Sequence, residues 1–361
     1  MKKILLVNTN FTYGKITYGG LKKMLIWVGN GLAELGHNVT FCTIHDKERS
    51  DRLSERANSI ELGIVYYHNV ILRYLSLFTT VLRSMKSVLS NKYDYVISFG
   101  DLSFYVLLIL KPFYKYKLIV SERADPTHNN SIMDSFMRKV AFKKADVVVC
   151  QTDGAKSCFP QKVQKKAVVI PNPVDLPSII WQSKNSFNIA TTGRVHFWQK
   201  RQDVLLNSFS IVVRRFKQCR LNVYGDGPDM DKLRSLVQEL RLEDNVELHG
   251  STFNVKEKLI DNQLFVMTSD FEGIPNSLLE AMSLGMPVVS TDCSPGGARL
   301  LIEDNENGLL ARCGDINQIA QKIIFLIDHP DEASKMGKNA RLSMERFAPE
   351  KIIGLWNNIL K

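Results

Sequence analysis

A proline in the stretch FEGIPNSLLEAMSLGMPVV, residues 271–289, suits the first position of a helix. If the helix starts at Pro275, the backbone N–H groups of Asn276 and Ser277 lie in its first turn and have no acceptor within the helix. A helix start that combines free donors with the positive end of the helix dipole binds anions. The stretch therefore predicts an anion site at the start of this helix.

Two carboxylates eight residues apart, Glu272 and Glu280, flank the predicted anion site. Glu280 would lie on the third turn of the helix, within reach of neutral hydroxyls beside the anion. Glu272, ahead of the helix, would face the group attached to the other end of the anion. A diphosphate attached to a ribose fits this arrangement, and a surface loop followed by a helix-capping acid is the alternative interpretation.

A basic loop, GRVHFWQKRQD, follows the predicted strand FNIATT in the same half of the chain. It carries Gly193 and Arg194 at the end of the strand, with Lys200 and Arg201 after them. Two cations that converge on a diphosphate form charge-assisted hydrogen bonds worth about 1.5 to 3 kcal/mol each. The loop is therefore either part of the anion site or a solvated surface.

The sequence resembles glycosyltransferase family 4 in four motifs that are spread along the chain. They are a GR pair after a strand with a lysine six residues beyond the arginine, IPNPVD near the middle of the chain, YGDGP after a strand, and FEGIPNSLLEAMSLGMPVVSTD. The likeness covers nearly the whole chain and is strongest over residues 187–314. Members of this family are retaining, nucleotide-sugar-dependent enzymes with the GT-B fold.

The resemblance implies a role for each charged residue of the two C-terminal motifs. Arg194 and Lys200 would neutralise the leaving diphosphate, although Lys200 lies one residue further from Arg194 than in many members. Glu280 would hold the ribose hydroxyls, and Glu272 would contact the donor sugar near its reacting carbon. The implied donor contacts also include neighbouring residues of both motifs, namely Gly193, Gly273, Ile274, Pro275, Asn276 and Ser277.

A glycine pair near the N-terminus lies in the segment TYGG, residues 17–20. Glycines allow a backbone to approach a phosphate or a sugar closely. The family uses a matching loop to close over the donor, so the resemblance implies donor contacts for Gly19 and Gly20. A plain turn explains the same pair of residues.

The segment SERADP follows the predicted strand at residues 118–120 and departs from the family pattern. Many relatives carry a histidine beside the reacting centre here, whereas this chain has Arg123, with His128 five residues later. Arg123 would hold a phosphate of the donor or of the acceptor. The alternative is that Arg123 pairs with Glu122 or Asp125.

Asp229 and Asp231 form a DxD pattern within GDGPDMDKL, a spacing that metal-dependent glycosyltransferases of another fold use. Acids at the start of a helix are stabilised by its dipole, and we favour this structural interpretation. No other cluster of acids or histidines in the sequence has the spacing of metal ligands. We therefore expect no metal and no cofactor, because a nucleotide sugar is a substrate.

The net charge of +10 is confined to the first half of the chain. Residues 1–180 contain 25 Lys and Arg against 14 Asp and Glu, giving +11, and residues 181–361 contain 22 against 23, giving −1. Nucleic acid, an anionic membrane surface and an acidic small molecule are the candidate partners. No zinc finger, aromatic RNP pattern or basic zipper accompanies this charge, so we expect no nucleic-acid partner.

Three segments of the first half combine basic residues with aromatic and aliphatic ones, residues 71–89, 111–117 and 134–147. Such segments suit the anionic cytoplasmic leaflet of a membrane, and a solvated face over a buried core is the alternative. The resemblance assigns acceptor binding to this half. A polyprenyl-diphosphate-linked sugar would supply both an anion and a membrane tether, so we expect peripheral association with the inner face of the cell membrane.

Short β-branched runs alternate with amphipathic stretches in both halves of the chain, which predicts strands separated by helices. Such an alternation specifies parallel sheets covered by helices, because a parallel connection must cross over the sheet. We predict an α/β fold with two doubly wound domains that face a central cleft. The predicted strands are residues 4–7, 39–44, 95–99, 118–120, 147–150 and 168–170, then 187–191, 221–224, 246–248, 264–267, 288–290 and 309–310.

The length of 361 residues predicts two domains, and the proline-rich segment PNPVDLP, residues 171–177, predicts the linker. We place an acceptor-binding domain at residues 1–172 and a nucleotide-sugar-binding domain at 173–346. A C-terminal helix at 347–361 has an apolar face that would pack on either domain, and we group it with the first. No apolar run is long enough for a signal peptide or a membrane span, and six scattered cysteines fit reduced thiols, so we expect a cytoplasmic protein.

These observations predict a retaining, metal-independent glycosyltransferase with the GT-B fold, built from two Rossmann-like domains. It would move a sugar from a nucleotide diphosphate donor, UDP-linked, to a hydroxyl of a lipid-linked saccharide. An epimerase or hydrolase on the same architecture and a non-catalytic sugar- or nucleotide-binding protein are the alternatives. The sequence leaves open the donor sugar, the linkage, the acceptor and the oligomeric state.

Overall fold

The computed structural model describes residues 1–8, 20–43, 53–61, 82, 85–86, 88–99, 107–128, 140, 142–183, 187–252 and 254–361. The chain divides into two compact units. The first contains Met1–Pro171 together with Glu350–Lys361, and the second contains Asn172–Pro349. Among the described residues, no helix is both long and apolar enough to cross a bilayer.

The first unit is built on a seven-stranded sheet in which every pairing is parallel. The strand order is β3-β2-β1-β4-β5-β6-β7. Continuous apolar runs such as ILLV in β1, with no exposed surface, are typical of strands covered on both faces. The strands are β1 Lys3–Asn8, β2 Asn38–Thr43, β3 Ala57–Glu61, β4 Tyr95–Ser98, β5 Lys117–Ser121, β6 Val147–Cys150 and β7 Ala167–Val169.

The six predicted strands of this half are confirmed to within about two residues at their ends, and β3 was missed. Strand β3 reads ANSIE and lies at the edge of the sheet, where it pairs only with β2. An edge strand is held by its backbone pairing and needs few apolar side chains, so it carries no apolar run that could be recognised in the sequence.

Helix α1, Gly20–Glu34, connects β1 to β2 in the first unit, in agreement with the predicted alternation of strands and amphipathic stretches. Two short helices, α2 Asp153–Ser157 and α3 Gln161–Gln164, lie between β6 and β7. Residues 107–110 are helical and continue into a 3₁₀ turn at Lys111–Phe113. This turn precedes β5.

The second unit has a six-stranded parallel sheet in the order β10-β9-β8-β11-β12-β13. Its strands are β8 Asn188–Thr192, β9 Arg220–Tyr224, β10 Val246–Gly250, β11 Leu264–Met267, β12 Val288–Thr291 and β13 Leu309–Ala311, which confirms the six strands predicted. Its helices are α4 Phe197–Lys200, α5 Gln202–Arg215, α6 Met230–Glu239, α7 Val255–Leu259, α8 Asn276–Ser283, α9 Gly297–Leu301, α10 Ile316–Asp328 and α11 Pro330–Ser343.

Both sheets have the doubly wound order in which the chain starts at a central strand and reverses direction beside it. This confirms two Rossmann-like α/β domains. In the second sheet the reversal lies between β8 and β11, which pair directly. Ligands of open parallel sheets bind at the carboxyl ends of the strands where the order reverses. The loops after β8 and β11 are therefore the expected location of a ligand site.

The last helix, α12 Pro349–Asn358, returns to the first unit through its residues 350–358. Trp356 is fully buried and stacks on Phe99 at the end of β4, with ring centroids 5.8 Å apart. The side chain of Asn357 also hydrogen-bonds His37 over 2.8 Å. The apolar face predicted for this helix therefore packs on the N-terminal sheet.

The predicted linker begins the second unit and packs against it. Asn172 donates its amide to the Asn276 side chain over 2.6 Å. Trp181 is buried, and its indole N–H donates to the carbonyl of Asn262 over 2.7 Å. Asn172 within the segment and Trp181, four residues beyond it, thus anchor this stretch of chain to the second unit.

Candidate active site

An ion pair between Lys200 and Glu272 joins the loop after β8 to the loop after β11. The ammonium contacts the Oε1 atom of the carboxylate, and the two side chains are 18% and 10% exposed. Ser269 donates its hydroxyl to the same oxygen over 2.8 Å. Two residues that lie 72 positions apart in the sequence therefore form one charged centre at the carboxyl end of the sheet.

Backbone and side-chain contacts hold these two loops together. The N–H of Asp270 donates to the carbonyl of Gln199 over 2.9 Å, and the Thr268 hydroxyl donates to the carbonyl of Lys200 over 3.0 Å. Arg201 bridges Asp270, at 2.7 Å, and Asp203, at 3.1 Å. The hydrogen bonds that Arg201 donates to Asp203 and then to Asp270 raise the pKa of Arg201 further above its usual value. Arg201 is therefore engaged in holding the loops, whereas Lys200 points to Glu272.

Arg194 follows β8 directly and is exposed. Its backbone carbonyl accepts a hydrogen bond of 2.9 Å from the side chain of Gln202. The preceding Gly193 donates its N–H to the carbonyl of Tyr224 over 3.0 Å. The turn after β9 packs closely against the turn that carries Arg194. A Cβ atom on Gly225 would lie 1.8 Å from the carbonyl oxygen of Gly193, so this close packing requires glycine at position 225.

The helix that follows Glu272 starts one residue later than the sequence suggested. Pro275 has an extended backbone, with a ψ of 106°, and its carbonyl accepts hydrogen bonds of 3.1 Å from the N–H groups of Leu278 and Leu279. A residue with non-helical ψ whose carbonyl accepts the first helical bonds is the N-cap, so Pro275 precedes the helix. The prediction that it is the first helical residue was wrong.

Helix α8 therefore begins at Asn276, and its first two N–H groups, those of Asn276 and Ser277, have no acceptor inside the helix. Glu280 is its fifth residue and half-buried, on the second turn of the helix. The prediction of the third turn was wrong, because even a start at Pro275 would make Glu280 the sixth helical residue, which also lies on the second turn. Ahead of the helix, Gly273 and Ile274 are buried.

The first unit places Arg123 just after β5, in the segment SERADP. Its guanidinium lies 5.3 Å from the ring centroid of Phe99, and burial lowers its pKa, with Glu122 acting in the opposite direction. The carboxylate of Glu122 accepts the backbone N–H groups of Arg123 and Ala124, over 3.1 and 3.2 Å. A guanidinium held in a half-buried position suits an anionic ligand, and the role of Arg123 stays a prediction.

The His128 side chain contacts Asp125 over 3.0 Å, and Asp125 is buried. Asp125 also accepts the backbone N–H of Thr127 over 2.8 Å and its hydroxyl over 2.7 Å. Asp125 is thus engaged by its own turn. Of the predicted glycine pair, Gly20 begins α1, and Gly19 lies outside the described residues.

The DxD pattern lies at the start of α6, as predicted. Asp229 accepts the backbone N–H of Phe197 over 2.9 Å and pairs with Lys232, and these contacts, led by Lys232, lower its pKa. Asp231 is exposed and pairs with Arg234. In the described part of the chain, no group of three or more His, Cys, Asp or Glu side chains is arranged to hold a metal.

Sequence reasoning missed the residues that hold the charged centre in place. Gln199 donates its side-chain amide to the carbonyl of Phe271 over 3.2 Å and reaches Glu272 over 3.4 Å. Trp198 packs edge-to-face on Phe271, with centroids 4.6 Å apart. One signal was available, because Asp270 precedes Glu272 by two residues and Arg201 follows Lys200, so an acidic pair in one loop could match a basic pair in the other.

Two doubly wound sheets, with a charged centre at the reversal of the second, are the architecture of the GT-B class of glycosyltransferases. Residues 18–177 match the family model described as Glycosyltransferase Family 4, and residues 186–329 match the model described as Glycosyl transferases group 1. The chain belongs to this family of glycosyltransferases, as the resemblance of its motifs predicted.

Similar proteins support the same conclusion. The chain is 26% identical to an uncharacterized glycosyltransferase of Haemophilus influenzae, over 95% of this chain and 96% of that protein. It is 28% identical, over 79% of this chain and 80% of the other, to the N-acetylgalactosamine-N,N'-diacetylbacillosaminyl-diphospho-undecaprenol 4-alpha-N-acetylgalactosaminyltransferase of Campylobacter jejuni. The crystal structure of HepE from Anabaena in complex with UDP and glucose shares the fold, with a TM-score of 0.81, 19% identity and coverage of 100% of this chain and 99% of that one.

Proposed function

We propose that this glycosyltransferase moves a sugar, with retention of anomeric configuration, from a UDP-sugar to a hydroxyl of a lipid-linked saccharide at the cytoplasmic face of the membrane. The Campylobacter relative supports the acceptor class, because its name specifies a diphospho-undecaprenol-linked saccharide. HepE supports the donor class, because it is a protein of the same fold that holds UDP and glucose. Retention follows from the family resemblance.

The observation that carries the proposal is the Lys200–Glu272 ion pair beside the start of α8. An ammonium has three N–H donors, so Lys200 can contact Glu272 and a phosphate oxygen at the same time. Arg194 is exposed. The first N–H groups of α8 point outward from the N-terminus of the helix, which is the positive end of its dipole. These groups suit a diphosphate held between the two loops, with the donor sugar towards Glu272 and the ribose towards Glu280.

The proposed reaction breaks the bond between the anomeric carbon and the diphosphate while the acceptor oxygen bonds to the same carbon. The bonding electrons move to the leaving diphosphate, which also receives the proton of the acceptor hydroxyl. Charge that develops on the diphosphate is stabilised by Arg194, Lys200 and the helix start, because preorganised donors are most effective where charge develops. We assign this neutralisation to protein groups and not to a metal, and activity measured in EDTA tests that assignment.

Removal of either cation tests the proposal directly. We expect Arg194→Ala and Lys200→Ala each to lower kcat by about 10²- to 10³-fold, as loss of a preorganised electrostatic contact does elsewhere. The measurement is UDP release from a panel of UDP-sugars with lipid-linked acceptors. Arg215→Ala is the matched control, because Arg215 forms an exposed ion pair with Asp328 in the same unit. Near-normal activity in both site variants would contradict the leaving-group assignment.

The surface of the first unit supports the membrane part of the proposal. Ile109 and Phe113 are 48% and 77% exposed, on either side of Lys111. Lys111 donates to the carbonyl of Lys144 over 2.9 Å, so the exposed Lys143 and Lys144 lie beside this turn. We name Ile109, Phe113, Lys143 and Lys144 the lysine-edged patch. Exposed apolar side chains bordered by lysines suit an anionic bilayer surface.

Most of the segment at residues 71–89, and much of that at 134–147, lies outside the described residues. The predicted contribution of those parts to membrane association stays a prediction. All four residues of the lysine-edged patch lie within the part of the chain that the structure describes. The patch is therefore the part of the membrane proposal that can be tested by substitution.

A further inference from the structure

Trp198 exposes a large aromatic face next to the charged centre. It is 53% exposed, whereas Trp181 and Trp356 are 6% and 0% exposed. An indole is the costliest side chain to leave half in water, and tryptophan is enriched where one face is apolar and the other meets a partner. An indole exposed to this extent beside a charged centre is suited to contact with a ligand.

The indole is held in a fixed orientation by the loop that carries it. It packs edge-to-face on the buried ring of Phe271, at an interplanar angle of 70°. The N–H of Lys200 donates to the carbonyl of His196 over 2.7 Å, which closes a turn around Trp198. The amide of Gln199 fixes the same turn to the carbonyl of Phe271. Stacking of a ligand on this face would therefore cost little side-chain entropy, because the indole is already ordered.

The phenylalanine on which the indole packs is next to Glu272, the carboxylate of the charged centre. Phe271 precedes Glu272, and Trp198 precedes Lys200 by two residues, so both partners of the ion pair have an aromatic ring beside them in the chain. A pyranose ring carries hydroxyls around its rim and C–H groups on its faces. A site that combines a carboxylate for the hydroxyls with an aromatic face for the C–H groups matches both parts of a sugar.

We propose that Trp198 is the platform on which the sugar ring of the donor stacks while Glu272 contacts its hydroxyls. This inference rests on the proposed function, because it takes a UDP-sugar as the donor. It assigns to Trp198 a positioning role for the sugar and none for the nucleotide. The diphosphate and the ribose are held by other residues.

Calorimetric titration of the full chain with UDP, UDP-glucose, UDP-galactose, UDP-N-acetylglucosamine and UDP-N-acetylgalactosamine tests the platform. We expect Trp198→Ala to weaken binding of the best UDP-sugar by about 3- to 10-fold, as loss of an aromatic contact does elsewhere, and to leave the Kd of UDP unchanged. Trp198→Phe should retain most of the affinity for the sugar. In the wild type, the same UDP-sugar should shift tryptophan emission more than UDP does.

Phe325→Ala is the matched control, because Phe325 is also an exposed aromatic residue of the second unit, 37% exposed and stacked on His329. It should change neither Kd. An equal loss of affinity for UDP and the UDP-sugar in Trp198→Ala, or no loss for either, would overturn the platform and leave the proposed function standing. Failure of the wild type to bind UDP and all four UDP-sugars would instead contradict the proposed function, and the platform with it.

Discussion

At the scale of single residues, the charged centre depends on a pair that is mostly removed from water. Taking an ammonium and a carboxylate out of water is costly, and further polar contacts of the carboxylate help to offset that cost. Ser269 hydrogen-bonds Glu272, and Gln199 lies within 3.4 Å of its second oxygen. An anionic ligand that joined Lys200 would add a second counter-charge without breaking this network.

The cysteines provide a residue-scale prediction that depends on pH. Cys158 and Cys313 are exposed, and burial, followed by Asp125 and Asp270 respectively, raises the pKa of each thiol. The thiolate is the reactive form, so both should react with iodoacetamide more slowly than a model thiol at pH 7. We expect the rate to rise by about tenfold per pH unit below the thiol pKa.

Mass spectrometry of the alkylated native protein measures this reactivity site by site. The remaining four cysteines are buried and serve as internal controls, namely Cys42, Cys150, Cys219 and Cys293. Burial raises the pKa of Cys150 and Cys219 to about 12, so they should stay unmodified until the protein unfolds. A rate that did not change between pH 7 and pH 9, or early modification of Cys293, would contradict the structure around these thiols.

At the scale of secondary-structure elements, the end of the chain completes the core of its beginning. Helix α12 buries Ile352 and Trp356, and Ile353 lies against Gly31 of α1. Trp356 stacks on Phe99, and the guanidinium of Arg123 lies over the ring of Phe99. The closing helix is thus linked through one aromatic stack to a predicted functional residue.

Substitution of Trp356 tests this packing. We expect Trp356→Ala to lower the free energy of unfolding by about 3 to 5 kcal/mol, as truncation of a buried aromatic residue does. Trp356→Phe should cost about 1.5 kcal/mol or less, because it keeps the stack on Phe99 and removes an indole N–H that has no partner among the described residues. Urea unfolding followed by circular dichroism measures both changes.

Leu355→Ala is the control for the helix itself, because Leu355 is 40% exposed on the same helix. A surface substitution of this kind should change the free energy of unfolding by about 0.5 kcal/mol or less. If Trp356→Ala were as mild as Leu355→Ala, the helix would not be a part of the first core.

At the scale of the whole molecule, the charge of the chain is divided between its two halves. Residues 1–180 carry a net +11, and the remainder carries −1. The cations of the second half that matter for the charged centre are therefore local ones, Arg194, Lys200 and Arg201. The excess of the first half is available for a larger anionic surface, which is the basis of the membrane proposal.

Vesicle flotation tests the membrane proposal. We expect the full chain to bind vesicles that contain phosphatidylglycerol better than neutral phosphatidylcholine vesicles, and 0.5 M salt to weaken binding because it screens charge. Phe113→Ser should reduce binding by about 10- to 150-fold, since burial of one such side chain contributes about 1.5 to 3 kcal/mol. Lys143→Glu with Lys144→Glu should reduce it further.

Leu342→Ser is the matched control, because Leu342 is an exposed apolar residue of the second unit, 65% exposed. Its substitution should leave vesicle binding unchanged. Equal binding to both kinds of vesicle, or equal effects of Phe113→Ser and Leu342→Ser, would argue against the lysine-edged patch.

The amino-acid sequence alone determined the features that depend on short stretches of chain. The strands of both sheets follow from apolar runs such as those of β1 and β11, because burial on both faces leaves no polar position. The glutamate pair and the basic loop were recognisable because their spacing is local. Strand β3 was not recognisable in the sequence, since an edge strand needs little apolar surface. Helix α8 starts one residue later than predicted because the backbone of Pro275 is extended.

Only the tertiary structure decided which distant side chains meet. Lys200 and Glu272 form a pair because β8 and β11 are neighbours in the sheet, although two strands, β9 and β10, lie between them in the chain. The contact of Trp198 with Phe271 has the same origin, and Trp356 stacks on Phe99 because the last helix returns to the first unit. Such contacts depend on the order in which strands assemble and on the packing that follows, and neither is encoded in a local pattern of residues.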